Sequence, residues 1–221
     1  MTVSRQETAR RYVLFIISLF FAALGVAFTK HGELGVSPIS SVANVLSIRF
    51  EFLSLGSWLI IWNCVLILGQ ILILGRKFRP IQFLQVPLSF LFGWFTDLGM
   101  WMVSPIPVNT YPTRILMVLI GVVVLGFGIS LAVIANVIMN SGEAFVKALS
   151  DRVRKEFGNV KVAFDVSCVL LALVLSLLFF DGAIVGTREG TVISALLTGF
   201  VVKWFSKRWK TPLEALLRKT K

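Results

Sequence analysis

Of the 221 residues, 57% are hydrophobic and only 15% are charged, which leaves too little polar sequence for a soluble domain and excludes an ordinary globular enzyme. The net charge of +11 would suggest a nucleic-acid partner on a soluble fold, so its meaning depends on where the 22 basic residues fall. The two cysteines, Cys64 and Cys168, lie inside apolar runs and read as small buried residues, with no disulfide framework and no metal site.

Six apolar runs follow one another, at residues 12–29, 57–74, 81–103, 115–139, 162–180 and 191–205. Each is close to the 17–25 residues, roughly, that a helix needs to cross about 30 Å of hydrocarbon. They are apolar on every face, whereas a β-barrel would alternate apolar and polar positions over segments of about ten residues. The expected fold class is an all-α membrane protein of six transmembrane helices. Arg10 and Arg11 ahead of an apolar run containing Ala22, Ala23 and Ala27 could mimic a signal peptide, but five further runs predict that this segment stays.

The basic residues sort by loop. Arg5, Arg10, Arg11, Arg76, Lys77, Arg79, Lys147, Arg152, Arg154, Lys155, Lys161 and the C-terminal cluster from Lys203 to Lys221 fall on one side, against Lys30, Arg49, Arg114 and Arg188 on the other. The positive-inside rule then puts both termini in the cytoplasm and makes the charge topological, with no nucleic-acid partner. Trp58, Trp101 and Tyr111 fall near the outer interface, Trp204 and Trp209 near the inner one. The tail, residues 207–221, is expected to lie on anionic lipid with Trp209, Leu213, Leu216 and Leu217 buried.

The order of parts occurs twice: a run, a short amphipathic stretch, a run, a run. Gly25 precedes Ser37-Pro38 by twelve residues, as Gly128 precedes Asn140-Ser141-Gly142, and Gly93 corresponds to Gly199. Three spans per half invert the second copy, so a single membrane domain of two inverted repeats is expected, residues 1–113 and 114–206.

The short stretches bring chemistry within reach. Ser37 is a suitable N-cap before Pro38, with Ile39, Val42, Val45 and Leu46 on one face and Ser40, Ser41, Asn44 and Ser47 on the other. Asn140 or Ser141 caps the second stretch, where Glu143 suits the positive helix end and Ala144, Ala148 and Leu149 form the apolar stripe. These helices either lie flat in the headgroups or dip their capped ends toward a cavity to meet a polar or anionic solute. Asn63, Asp97, Asn136 and Asp165 are candidate binding groups at membrane depth, where a charge costs at least about 2.5–3.5 kcal/mol. Asp165 also has a structural reading, a pair with Lys161 one turn earlier. Asp97 has no helical cation neighbour and is expected to face the interior near Ser40, Ser41 or Asn44. Gln70 and Gln85 must also find hydrogen bonds. The glycine-rich segment 181–191 reads as a turn before a binding loop, and His31, the sole histidine, argues for no metal.

Asn140-Ser141-Gly142 and Val185-Gly186-Thr187-x-x-Gly190-Thr191, with the glycines above, resemble the YczE/YyaS/YitT-type bacterial integral membrane proteins over most of the chain. Where that group commonly reads Val-Gly-x-Gly-Thr, Arg188-Glu189 intervene here. The resemblance implies a bacterial inner-membrane location and a transporter role, with no catalytic residue to carry over. The leading reading is a small-solute transporter without cofactor, working by alternating access between the repeats. The alternative is a non-transporting subunit that docks on another membrane protein or a second copy through Ala23 and Ala27. No His-Glu metal motif or Gly-x-Ser-x-Gly is present, which speaks against an intramembrane enzyme.

Overall fold

The computed structural model describes residues 5–218 as eight helices: α1 (Arg5–His31), α2 (Ser41–Arg49), α3 (Leu55–Leu74), α4 (Gln85–Val103), α5 (Tyr111–Ala135), α6 (Ser141–Val153), α7 (Phe157–Phe179) and α8 (Glu189–Arg218). Lys219 and Lys221 of the predicted basic tail lie outside the described residues. A 3-10 turn, Pro38–Ser40, leads into α2, and two more lie between α3 and α4. Among the described residues the only strand-like pairing is an isolated bridge between Gly35 and Thr187.

Five helices are long and apolar enough to cross a membrane: α1, α3, α4, α5 and α7. The sixth predicted span, residues 191–205, is the front of α8 and does not stand as a separate apolar helix. Nothing halts the helix at Phe205. It runs on through Lys207, Arg208 and Lys210, past Pro212, to Arg218, so its apolar part is short and its remainder basic.

α1 and α5 form the centre. Half of the apolar window of α1 and 56% of that of α5 are buried, against 22% for α3 and 17% for α7, whose outward leucines and valines face lipid. In lipid no hydrophobic force drives helices together, so close packing must supply the association. Small residues permit it: a Cβ on Gly25 would lie 2.4 Å from the Leu125 backbone nitrogen, and one on Gly128 would lie 2.4 Å from the Ala22 nitrogen. The two helices run antiparallel. Arg11 of α1, held by Glu7 at 2.8 Å, donates to the Ala135 carbonyl at 3.1 Å and so satisfies the free end of α5. Asn136 ends α5 in the left-handed region, with φ of 47°. Ala23 and Ala27 are fully buried, Ala27 against Gly99 of α4, so the docking face read there is not on the surface.

At the opposite end His31 meets the Ile106 carbonyl at 2.7 Å and Arg114 pairs with Glu33 at 2.8 Å. The segment 181–188 folds down over α2: Asn44 donates to the Gly186 carbonyl at 2.6 Å, and the Gly190 amide donates to the Leu34 carbonyl at 2.8 Å. Ser176 fixes the segment's entry by donating to the Ala183 carbonyl and accepting from the Val185 amide. The glycine-rich stretch is therefore a clasp between the halves of the chain. Under it α2 is buried on both faces, from Ser41 and Asn44 to Val42 and Val45, which rules out a helix lying flat in the headgroups.

Candidate functional site

A cavity of about 740 Å³ lies among α1, α3, α4, α5, α7 and α8, where the two short helices meet head to head. Its walls run from the middle of the bundle, at Leu19 and Val26 of α1, Leu59 and Trp62 of α3 and Ser194 of α8, to the end where α4 and α7 begin and α5 stops, at Gln85, Ser89, Ala132, Asn136, Lys161 and Asp165. The opposite end is shut by the clasp. A Cβ on Gly142 would lie 2.0 Å from the end of the Ile39 side chain, so the 3-10 turn and α6 touch tip to tip. The missing side chain at the second residue of α6 leaves the room that the end of Ile39 occupies.

Of the residues singled out in the sequence, Ser37, Ser40, Asn63, Asn136, Asn140, Ser141, Glu143 and Asp165 line this cavity. Ser41, Asn44 and Asp97 do not. Ser37 caps the 3-10 turn without a side-chain bond to the backbone, and its hydroxyl donates instead to Ser40 at 3.0 Å. Ser41 is fully buried and donates to the Pro38 carbonyl at 2.5 Å and the Cys168 carbonyl at 3.3 Å, joining the turn to α7. Asn44 belongs to the clasp.

Asp97 lies elsewhere than the sequence suggests. It accepts from the Gly56 amide at 2.9 Å and from the Ser54 hydroxyl at 2.6 Å, and it touches none of Ser40, Ser41 and Asn44. Ser54 also accepts from the Ser57 amide as N-cap of α3. Asp97 thus extends the cap of a neighbouring helix, where a carboxylate meets the positive helix end. A partner about forty residues away in sequence answers for a charge that has no cation on its own helix.

The α6 end of the site is built on amides. Gln70 and Gln85, both buried, exchange hydrogen bonds at 3.0 and 3.1 Å, and Gln70 also donates to the Ser141 carbonyl at 3.1 Å. Ser141 donates to the Asn63 side-chain oxygen at 2.7 Å. α3 therefore holds the first turn of α6 by both backbone and side chain. Glu143 follows in that turn; it is half-buried because it borders the cavity. Burial raises its carboxyl above the ordinary carboxylate range, opposed by the charge of Lys161 and a hydrogen bond with Asn140 and reinforced by the charge of Asp165. Lys161 and Asp165 form the ion pair read from their spacing. Both line the cavity, so the structural role and a place at the site coincide in Asp165.

Several lining residues escape sequence reasoning. Ser194 and Thr198, one turn apart on α8, border the cavity with hydroxyls that have no partner among the described residues, as does Trp62 with its indole N–H. Their spacing in an apolar run was the available signal. Among the described residues no cluster of three metal-ligating side chains occurs.

A family model described as "Family of unknown function (DUF6198)" matches residues 9–207. The chain belongs to this family. It is 26% identical over 202 residues to the "Uncharacterized membrane protein YczE" of Bacillus subtilis, covering 90% of this chain and 87% of that protein. The YczE-type resemblance read from the glycine landmarks therefore holds, and the protein is a multi-pass membrane protein in contact with lipid. No solved structure matches.

Proposed function

We propose that this protein is a small-solute transporter of the bacterial inner membrane, acting by alternating access between two inverted repeats, with both termini cytoplasmic. The observation that carries the reading is the cavity formed where the tips of the two short helices meet, walled by both halves of the chain. Such midplane sites between inverted halves are the recurrent plan of secondary transporters.

The contacts support the repeat. Under an offset of 103 residues Gly25 corresponds to Gly128 and Ala22 to Leu125, so the contact of Gly25 with Leu125 turns into that of Gly128 with Ala22. The same offset carries Ile39 to Gly142, and their contact maps onto itself. On this reading the front of α8 is the sixth span and counterpart of α4. α3 packs closely on α4, whereas α7 and α8 barely touch. That difference is what one extreme of a rocking cycle would present: a cavity reached from the end bearing the start of α1, and a clasp shut at the other. The opposite state would part α3 from α4 and close α7 on α8.

Accessibility tests it. In a variant with Cys64 and Cys168 replaced, Ser37→Cys and Thr198→Cys are offered an impermeant thiol reagent in right-side-out and inside-out vesicles. Labelling from both faces is expected, because the population visits both states. Labelling from one face only refutes alternating access and favours a non-transporting subunit.

A further inference from the structure

The charges and walls of the cavity allow its occupant to be narrowed to a chemical class, an inference that rests on the transport reading. Lys161 and Asp165 neutralise each other in an ion pair, and Glu143 forms no ion pair within 4 Å among the described residues. One carboxyl group at this site therefore has no cation of its own. The charged groups facing Glu143 are Lys161 and Asp165 on α7; α3 and the turn Pro38–Ser40 bring only uncharged side chains against α6. The rest of the wall is largely apolar and includes the rings of Phe15, Trp62, Phe92 and Phe157. Ser194, with no exposed surface and no hydrogen-bond partner among the described residues, adds a buried polar group at the wall.

We propose that the cavity binds an amphipathic organic monocation, its charged nitrogen or phosphorus centre against the Glu143 carboxylate and its apolar body among the aromatic rings, in exchange for one proton. An inorganic cation would leave most of an apolar volume of about 740 Å³ unfilled, and an anion would find no free cation, because Lys161 is already paired with Asp165. Aromatic faces attract a desolvated cation through the negative face of the ring quadrupole. Burial favours the neutral acid in the empty cavity, so the carboxylate that meets the cation is formed by releasing a proton to water. No bond other than that O–H is broken.

The probe is tetraphenylphosphonium, with tetraphenylborate as a control of the same shape and opposite charge, added to purified full-length protein in detergent. The expected result is saturable binding of the phosphonium and none of the borate. One proton should leave per cation bound, read with a pH indicator in weak buffer, and affinity should rise with pH. Glu143→Gln should weaken phosphonium binding by at least about tenfold, the loss of a charged contact, and abolish proton release. Glu143→Asp should retain binding, and Asp97→Asn, outside the cavity, should change neither readout. Equal binding of borate and phosphonium, phosphonium binding without proton release, unchanged affinity in Glu143→Gln, or no phosphonium binding at all would each overturn the proposal. The comparison of the two ions on the unaltered protein decides the matter even if Glu143→Gln does not fold. If the phosphonium fails while Ser37→Cys and Thr198→Cys label from both faces, the substrate class falls and the transport reading stands.

Discussion

Replacing Gly25 or Gly128 by alanine tests the central seam directly. The added methyl carbon would sit 2.4 Å from a backbone nitrogen of the facing helix, where ordinary contact is 3.4–4 Å. Backbone cannot swing aside as a side-chain end can, so α1 and α5 must separate by about 1 Å, enough to forfeit a quarter to a half of each contact along the seam. Overpacking of this kind costs about 1–3 kcal/mol, and the absence of any flexible neighbour puts these sites at the upper end. For a chain of this length about 3 kcal/mol corresponds to a fall of roughly 6–12 °C in melting temperature. The assay is the loss of monodisperse protein after heating in detergent, followed by size exclusion. The two single variants should fall by similar amounts. The double variant should lose less than their sum, since one separation relieves both clashes. Gly158→Ala is the control: a Cβ there meets nothing within 4 Å, and alanine should hold or raise stability by up to about 1 kcal/mol. If Gly25→Ala and Gly128→Ala melt within about 1 °C of the unaltered protein, the close seam is wrong.

Asp97→Ala should destabilise by about 1.5–3 kcal/mol through loss of charged hydrogen bonds to Ser54 and Gly56, while Asp97→Asn costs less and leaves cavity labelling unchanged in the same melting and thiol assays. Glu143 has a folded-state pKa raised above its unfolded value, so the folded protein holds this proton more tightly and stability should fall as pH rises from the ordinary carboxylate range through the raised value; the Glu143→Gln melting curve should lack that decline. With Cys64 and Cys168 replaced, a cysteine at Asn109 should react with impermeant reagent in intact cells and one at Lys219 should not, the reverse pattern overturning the proposed orientation.

The helices were legible because lipid demands long apolar runs, yet their ends were not. α1 is already helical at Arg5, ahead of the run at residues 12–29, because Glu7 and Arg11 satisfy each other there and hydropathy does not register charged helix. α8 overran its expected end for the same reason. The pair Lys161–Asp165 could be read from spacing, being local. Asp97 could not, because its partners come from the start of another helix. For the second face of α2, with its serines and Asn44, the sequence leaves the headgroups and a cavity both open, and the segment carrying Gly186 covers it instead, a contact across 142 residues. Ser194 and Thr198 escaped because a hydroxyl in an apolar helix ordinarily bonds its own backbone, and only the fold reveals that these two do not.

The buried state of α1 bears on how the protein is made. It is made before the other seven described helices, yet α4, which covers part of it, begins only at Gln85 and α5, which covers most of it, only at Tyr111. Until then the face that α5 covers must rest against lipid or an insertion factor. Ser18 donates to the Phe15 carbonyl at 2.6 Å and Thr29 to the Val26 carbonyl at 2.8 Å, so the two hydroxyls buried on that face are already satisfied within the helix. Such a segment loses nothing by waiting alone in hydrocarbon. Assembly can then proceed as a late docking of finished helices, with the clasp, which joins the neighbourhood of Gly35 to that of Thr187, closing only after nearly the whole chain has been inserted.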